Sequence, residues 1–280
     1  MGPVKFRTYR EVTGSDASAL GSQVERQRER VRSRLASIGR VVAIMSGKGG
    51  VGKSYLTAGL ARLLAARDRR VGVLDADLAA PTAARLLGAS GPLQIDEEVH
   101  PASGAAGIKV FSTDLLLEEG APLRWREPDS ERFVWRSTLE AGVLREFLSD
   151  VAWGDLDLLL VDLPPGTDRL HDLAELVAAQ AAIVAVTVPS NESQRAVSRA
   201  MRAATEGGLT ILGVVENMSG YACPDCGATG PLFPGDAGAA LAAEFEMPLL
   251  ARIPFAPGRS LDDPITELAA VADAVQTGLP

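Results

Sequence analysis

The chain has 280 residues and a mass of 29.3 kDa, ample for one α/β domain with an aliphatic core, since 46% of it is hydrophobic and only 5% aromatic. A net charge of -8 and a pI near 5.0 argue against a broad electropositive face, so no nucleic-acid partner is expected. No apolar run approaches the ~20 residues that span a bilayer, and the N-terminus lacks a charged-then-apolar leader, so a cytoplasmic protein without a membrane partner is expected.

Residues 1–22 are mixed and contain Gly, Ser and Pro, and read as a loosely docked arm. Residues 23–38 follow a helical period, with Val24, Val31, Leu35 and Ile38 near one face. Arginines from Arg26 to Arg34 are set against Glu25 and Glu29, which fits a solvated helix seated by a narrow apolar stripe. Arm and basic helix form an N-terminal region, 1–40, ahead of a single domain over 41–280.

From residue 41 short β-branched runs alternate with longer helical segments. That alternation predicts a three-layer α/β fold, a mainly parallel sheet flanked by helices on both faces. Strands are expected at 41–45, 71–75, 108–112, 157–162, 182–188, 210–216 and 249–253. The continuous apolar runs Leu158 to Val161 and Ile183 to Val186 indicate burial on both sides. Ligands of such sheets bind beyond the carboxyl ends of the strands, which is where the polar motifs fall.

The first motif follows the first strand: Gly47-Lys48-Gly49-Gly50-Val51-Gly52-Lys53-Ser54. This is a G-x-x-x-x-G-K-[ST] phosphate loop. Its glycines let backbone N–H groups turn onto phosphates, Lys53 neutralises the outer phosphates, and the Ser54 hydroxyl suits Mg2+. A helix starting near Ser54, with Leu56, Leu60, Leu63 and Leu64 on one face, aims its N-terminal dipole at the same anion. The loop holds two of the chain's four lysines, Lys48 and Lys53, while arginine carries nearly all other positive charge. A compact ammonium meets a phosphate oxygen as a point charge, which a forked guanidinium does not.

Further along, Asp75-Ala76-Asp77 closes the second expected strand, and alternation places both carboxylates on one side near the mouth of the site. Asp162 emerges from the apolar run before Leu163-Pro164-Pro165-Gly166-Thr167 and is the natural protein ligand of Mg2+ opposite Ser54. His171 reads as a helix residue facing solvent or a carboxylate. Asn217 is expected to end the strand at 210–216, where a side-chain amide can pair with adenine.

The chain's two cysteines form Cys223-Pro224-Asp225-Cys226-Gly227, a turn that brings both sulfurs to one metal. A site built from cysteine alone needs four thiolates, so it requires two chains on a two-fold axis, a homodimer. Tetrathiolate ligation fits either zinc or an iron–sulfur cluster. An isolated C-x-x-C also reads as a dithiol switch.

The sequence Ser46-Gly47-Lys48-Gly49-Gly50-Val51-Gly52-Lys53-Ser54 resembles the deviant Walker A loop of the MinD/ParA/nitrogenase iron protein superfamily. Glu216-Asn217-Met218-Ser219, the C-P-x-C-G turn, Pro248 to Pro254, Gly107 to Val110 and Trp153 to Asp157 resemble, more narrowly, the Mrp/ApbC-type iron–sulfur cluster carrier ATPases. The likeness covers roughly residues 40 to 260. It implies that Lys48 reaches across a homodimer to the partner's nucleotide, that Asp77 positions the attacking water with Asp75 as a supporting or metal-proximal residue, and that 164–167 is a switch sensing the γ-phosphate. It implies too that Asn217 contacts the base of ATP, with backbone near Pro254 closing the pocket. At the cysteines it implies a 4Fe-4S cluster bridged by Cys223 and Cys226 of both subunits and passed to apo-proteins, with zinc as the substitute metal. Tyr55 departs from the small hydroxyl residue usual beside the α-phosphate, and Ala79-Ala80-Pro81 stands where Tyr-Gly-Pro is usual. Two other roles compete with the carrier. One is a partition or positioning ATPase, which wants a basic amphipathic C-terminus, whereas Leu268 to Leu279 holds Asp273 and no Lys or Arg. The other is a nucleotide-dependent scaffold with zinc at the cysteines.

Overall fold

The computed structural model describes residues 20–91, 93–96, 98–116, 144–177 and 180–278. Most of the expected N-terminal arm, residues 1–19, lies outside them. Helix α1 (Leu20–Leu35) leads into β1 (Ile38–Ser46), α2 (Lys53–Ala65), β2 (Val71–Asp75) and the short α3 (Ala83–Leu86). A small hairpin, β3 (Gln94–Ile95) with β4 (Val99–His100), precedes β5 (Ala102–Ser103) and β6 (Lys109–Phe111). Then come α4 (144–150), β7 (Leu156–Asp162), α5 (Asp168–Val177), β8 (Ala181–Thr187) and α6 (Asn191–Glu206). The chain continues through β9 (Thr210–Ala222), β10 (Thr229–Gly230), α7 (Ala237–Glu244), β11 (Leu249–Phe255) and α8 (Ala269–Thr277).

The main sheet has the order β10-β9-β8-β1-β7-β2-β6-β5, with β11 also paired to β9. The pairings among β1, β2, β6, β7, β8, β9 and β11 are parallel, and the edge pieces β5 and β10 are antiparallel. Strand β1 lies between β7 and β8, neither of which is its neighbour in sequence. The chain therefore leaves β1 through α2, crosses over β7 and returns as β2, which opens a crevice at the carboxyl end of β1.

Both faces of the sheet are covered. On one, Val41, Ala43 and Met45 of β1 pack in a core with Val31 and Leu35 of α1, Leu144 and Leu148 of α4, Leu170 of α5, Val197 of α6 and Leu241 of α7. On the other, Val42 and Ile44 share a core with Leu56, Leu60 and Leu64 of α2, Ala83 of α3 and Val271 and Val275 of α8. Successive residues from Val41 to Met45 face opposite cores and all are apolar, the composition that two-sided burial demands.

All seven expected strands are present; 71–75 matches β2, and the other six have shifted ends. Ile38, expected on the first helix, opens β1, so the expected boundary at 40/41 falls inside that strand. The largest correction concerns β9, which continues to Ala222 instead of stopping at 216. Asn217 is therefore an interior strand residue. The extension survives because Met218 adopts a left-handed conformation (φ 54°) and the pairing with β11 shifts register between Ile253 and Phe255, a bulge that re-aims the strand without ending it. Strands β3, β4, β5 and β10 were not expected, since two-residue segments carry no period to read.

Candidate functional site

The phosphate loop spans the turn between β1 and α2. Gly50 (φ 78°) and Gly52 (φ 82°) hold the left-handed backbone that the cradle requires and that a side chain would strain. At Gly47 close approach is the constraint: a Cβ there would lie 2.3 Å from the Ala196 carbonyl carbon of α6. Segment 164–167 adjoins the loop. Gly166 donates its N–H to the Ser46 carbonyl at 2.9 Å, and a Cβ on Gly49 would sit 4.0 Å from Pro165 Cγ.

Lys53 Nζ meets Asp162 Oδ1 at 2.6 Å, with 6% of the lysine and none of the aspartate side chain exposed. Thr57, one turn along α2, donates its hydroxyl towards the Lys53 carbonyl (3.0 Å) and lies 3.2 Å from the same Asp162 Oδ1. The other carboxylate oxygen, Asp162 Oδ2, is buried without a partner. Among the described residues the Ser54 hydroxyl and the Lys48 ammonium make no hydrogen bond or ion pair. An orphaned buried carboxylate oxygen and the free hydroxyl of the residue that follows Lys53 are oxygen donors of the kind Mg2+ takes. These residues fit the metal.

Asp75 does not stand at the mouth with Asp77 as alternation predicted. The strand ends at Asp75, and the chain turns back so that the Asp77 N–H donates to Asp75 Oδ1 at 3.1 Å. Asp75 Oδ2 accepts the N–H groups of Thr82 (2.9 Å) and Ala83 (3.0 Å) and the Ser112 hydroxyl (3.2 Å). Asp75 is thus a buried brace for the segment 77–83 and caps α3. Burial, then the charge of Asp162 opposite it on β7, pushes its carboxyl up to about 6, against the pull of the three backbone N–H groups. Asp77 is half-buried, and its Oδ1 accepts the Ala80 N–H at 3.2 Å.

Asn217 lies against the loop. Its Nδ2 donates to the Val51 carbonyl at 2.8 Å, and a Cβ on Gly52 would strike that Nδ2 at 2.3 Å. In this structure the amide braces the phosphate loop. Tyr55 turns its hydroxyl towards the Arg259 carbonyl, 3.5 Å away, its pKa raised chiefly by burial, and Pro254 is half-buried on β11. His171 is exposed on α5. Two cavities, of about 240 and 290 Å³, open at the amino ends of the strands around Arg69. They lie away from these residues.

Sequence reasoning missed three residues. Thr57 was readable, being four positions after Lys53 and hence on its face of α2. Glu216, 2% exposed, accepts the Gly238 N–H at 2.6 Å and pairs with Arg252 at 3.4 Å, and its signal was a charge within an apolar strand. Ser112 carried no signal. Only the pairing of β2 with β6 brings it to Asp75.

The cysteines cap a hairpin. Strand β10 pairs back on β9, Cys223 N–H donates to the Ala228 carbonyl at 2.9 Å, and Gly227 N–H to the Cys223 carbonyl at 2.9 Å. The N–H groups of Cys226 and Asp225, then the Cys226 thiol, turn on Cys223 and lower its thiol pKa. Cys223 is half-buried, Cys226 is exposed, and both are free thiols. No group of three or more His, Cys, Asp or Glu side chains suited to one metal exists among the described residues.

A family model described as ParA, NUBPL iron-transfer P-loop NTPase, matches residues 37–264. The chain belongs to that family. Within it, the iron–sulfur cluster carrier protein of Saccharolobus solfataricus is 36% identical over 245 residues, covering 86% of this chain and 80% of the relative. The human cytosolic Fe-S cluster assembly factor NUBP2 is 35% identical over 246 residues, covering 82% and 84%. A solved structure, the nucleotide-binding protein of Archaeoglobus fulgidus in complex with ADP, superposes with a TM-score of 0.67 at 34% identity, covering 90% of this chain and 94% of that one. The P-loop NTPase fold expected from the alternation of strands and helices is the fold of this family. No described helix is long and apolar enough to cross a membrane.

Proposed function

We propose that this chain is an ATP-binding, ATP-hydrolysing iron–sulfur cluster carrier that holds a bridging 4Fe-4S cluster as a homodimer and passes it to apo-proteins in the cytoplasm. The observation that carries the reading is the hairpin tip at Cys223 and Cys226. Two free thiols, one with its pKa lowered by backbone N–H groups, form half of a tetrathiolate site, and the described residues offer no further ligands to complete it. The relatives named as cluster carriers and cytosolic assembly factors support the same assignment.

For nucleotide, the backbone of 47–52 receives the phosphates, and Lys53 leaves Asp162 for them. That exchange trades one anion for another, and Asp162, whose Oδ2 has no partner, and the Ser54 hydroxyl are the residues that would hold Mg2+. Bound there, Mg2+ supplies positive charge against the developing charge on the phosphates. Lys48, with no partner of its own, extends to the nucleotide of the second subunit. Asp77, braced through Asp75, orients water for in-line attack on the γ-phosphate. Gly166, hydrogen-bonded to Ser46 at the root of the loop, couples the γ-phosphate position to the second switch. Asn217 holds the loop and Tyr55 and Pro254 flank the base side.

The test is anaerobic iron–sulfur reconstitution of wild type and of Cys223→Ala/Cys226→Ala, with visible absorbance, metal content per dimer and phosphate release from ATP. About four irons per dimer, absent from the variant, is expected. Zinc alone, or iron that persists without both cysteines, would replace the carrier with a zinc-bearing scaffold, and absence of phosphate release would remove the ATPase.

A further inference from the structure

Three aromatic side chains stand in solvent around the cysteine hairpin: Tyr221 is 38% exposed, Phe255 44% and Phe233 39%. Tyr221 is the penultimate residue of β9, and Cys223 follows directly on the strand's last residue, its N–H to the Ala228 carbonyl carrying the pairing of β9 with β10 one step further. Phe255 is the β11 partner of Tyr221, with ring centroids 6.5 Å apart. Phe233 follows β10, the return strand of the hairpin. The chain is poor in aromatics, at 5%, yet three of the five large exposed apolar side chains among the described residues gather beside its only two thiols. Clustered exposure of this kind marks a contact surface, and scattered exposure does not.

We infer that Tyr221 and Phe255, with Phe233 at their side, form the apolar rim of the contact with a second copy of this chain, closing around the shared tetrathiolate site and keeping water from it. This rests on the carrier reading, because that reading makes the site incomplete without a second copy. Continuity selects the occupant. A two-fold axis through four thiolates brings both hairpin tips together, and the exposed rings at the root of each tip, Tyr221 with its neighbour Phe255, are carried towards the partner with them. Two rings from each side meet there, and buried aromatic pairs are the usual anchors of such contacts. The rim also bears on cargo. A thiolate-bound cluster ringed by apolar side chains is shielded from water and chelators, so the strength of the rim sets how readily the cluster is given up.

The test separates the two claims. Iron bound per wild-type dimer decides the carrier reading without reference to the rim. The rim is read from Tyr221→Ser/Phe255→Ser, by sedimentation for the dimer dissociation constant and by the rate at which a ferrous chelator strips iron from the loaded protein. Each is expected to rise at least about tenfold, with ATP affinity unchanged. Tyr221→Phe/Phe255→Leu, which keeps apolar surface, should restore both towards wild type. The single variant Tyr221→Ser, expected to shift the constant in the same direction, serves if the double variant does not fold. A dissociation constant and iron lifetime equal to wild type overturn the inference. So does a variant that dimerises and holds iron normally but delivers it more slowly to an apo-ferredoxin, since the rim would then face client proteins.

Discussion

The pair of Lys53 with Asp162 is the most consequential buried contact at the site, and cutting it should expose its energetics. Both side chains are at most 6% exposed and their charged atoms are 2.6 Å apart. Asp162→Ala strands an ammonium in the core, a change that costs on the order of 3–5 kcal/mol. Removing Asp162 also relieves its repulsion of Asp75, so the expected cost lies near the lower end, about 3 kcal/mol. Lys53→Met leaves the Asp162 carboxylate facing Asp75 with only the Thr57 hydroxyl for support, and should cost a similar amount. The double variant removes both charges together, so it should fall short of the sum of the single effects by about 2 kcal/mol. Urea unfolding of the nucleotide-free protein at pH 7, with midpoints compared at unchanged slope, measures all three. Additive single effects, or a loss under about 1 kcal/mol for Asp162→Ala, would refute the argument that burial makes this pair interdependent.

Two further outcomes follow from the neighbouring residues. The folded Asp75 carboxyl keeps its proton up to about pH 6, while the unfolded one releases it near 4. Between those values the native state binds more protons, so this group's contribution to stability falls as pH rises through the window, by roughly 3 kcal/mol in all. Urea midpoints from pH 4 to 7 should therefore drop more steeply for wild type than for Asp75→Asn, and parallel curves would contradict the shift. Asn217→Ala removes the 2.8 Å brace on Val51, and about tenfold weaker binding, near 1.4 kcal/mol, is expected for ATP and for inorganic tripolyphosphate alike. Calorimetry showing a loss for ATP alone would return Asn217 to a contact with the base.

The phosphate loop, Asp162 and the cysteine pair were all legible in the chain, because each depends on local spacing. Glycines at fixed offsets set a backbone shape, and two cysteines three positions apart set a turn, whatever surrounds them. The seven strands were legible for a related reason: strands buried on both faces must be apolar throughout. The shared facing expected for Asp75 and Asp77 does not hold, because alternation applies only while the strand lasts, and β2 stops at Asp75.

What the residues could not reveal is what they meet across the fold. Asp75 became a brace because β6 carries Ser112 beside β2 and because the chain after Asp77 folds back to offer the N–H groups of Thr82 and Ala83. Asn217 reached the phosphate loop because pairing with β11 holds β9 in register as far as Asn217, and the bulge at Met218 then let β9 run on and lift Cys223 and Cys226 to the tip of a hairpin beyond Tyr221 and Phe255. Local spacing dictates backbone shape and the kind of ligand atom offered. Partners 37 or 166 positions away, as for Asp75 with Ser112 and Asn217 with Val51, are chosen only when sheet order and register bring strands side by side.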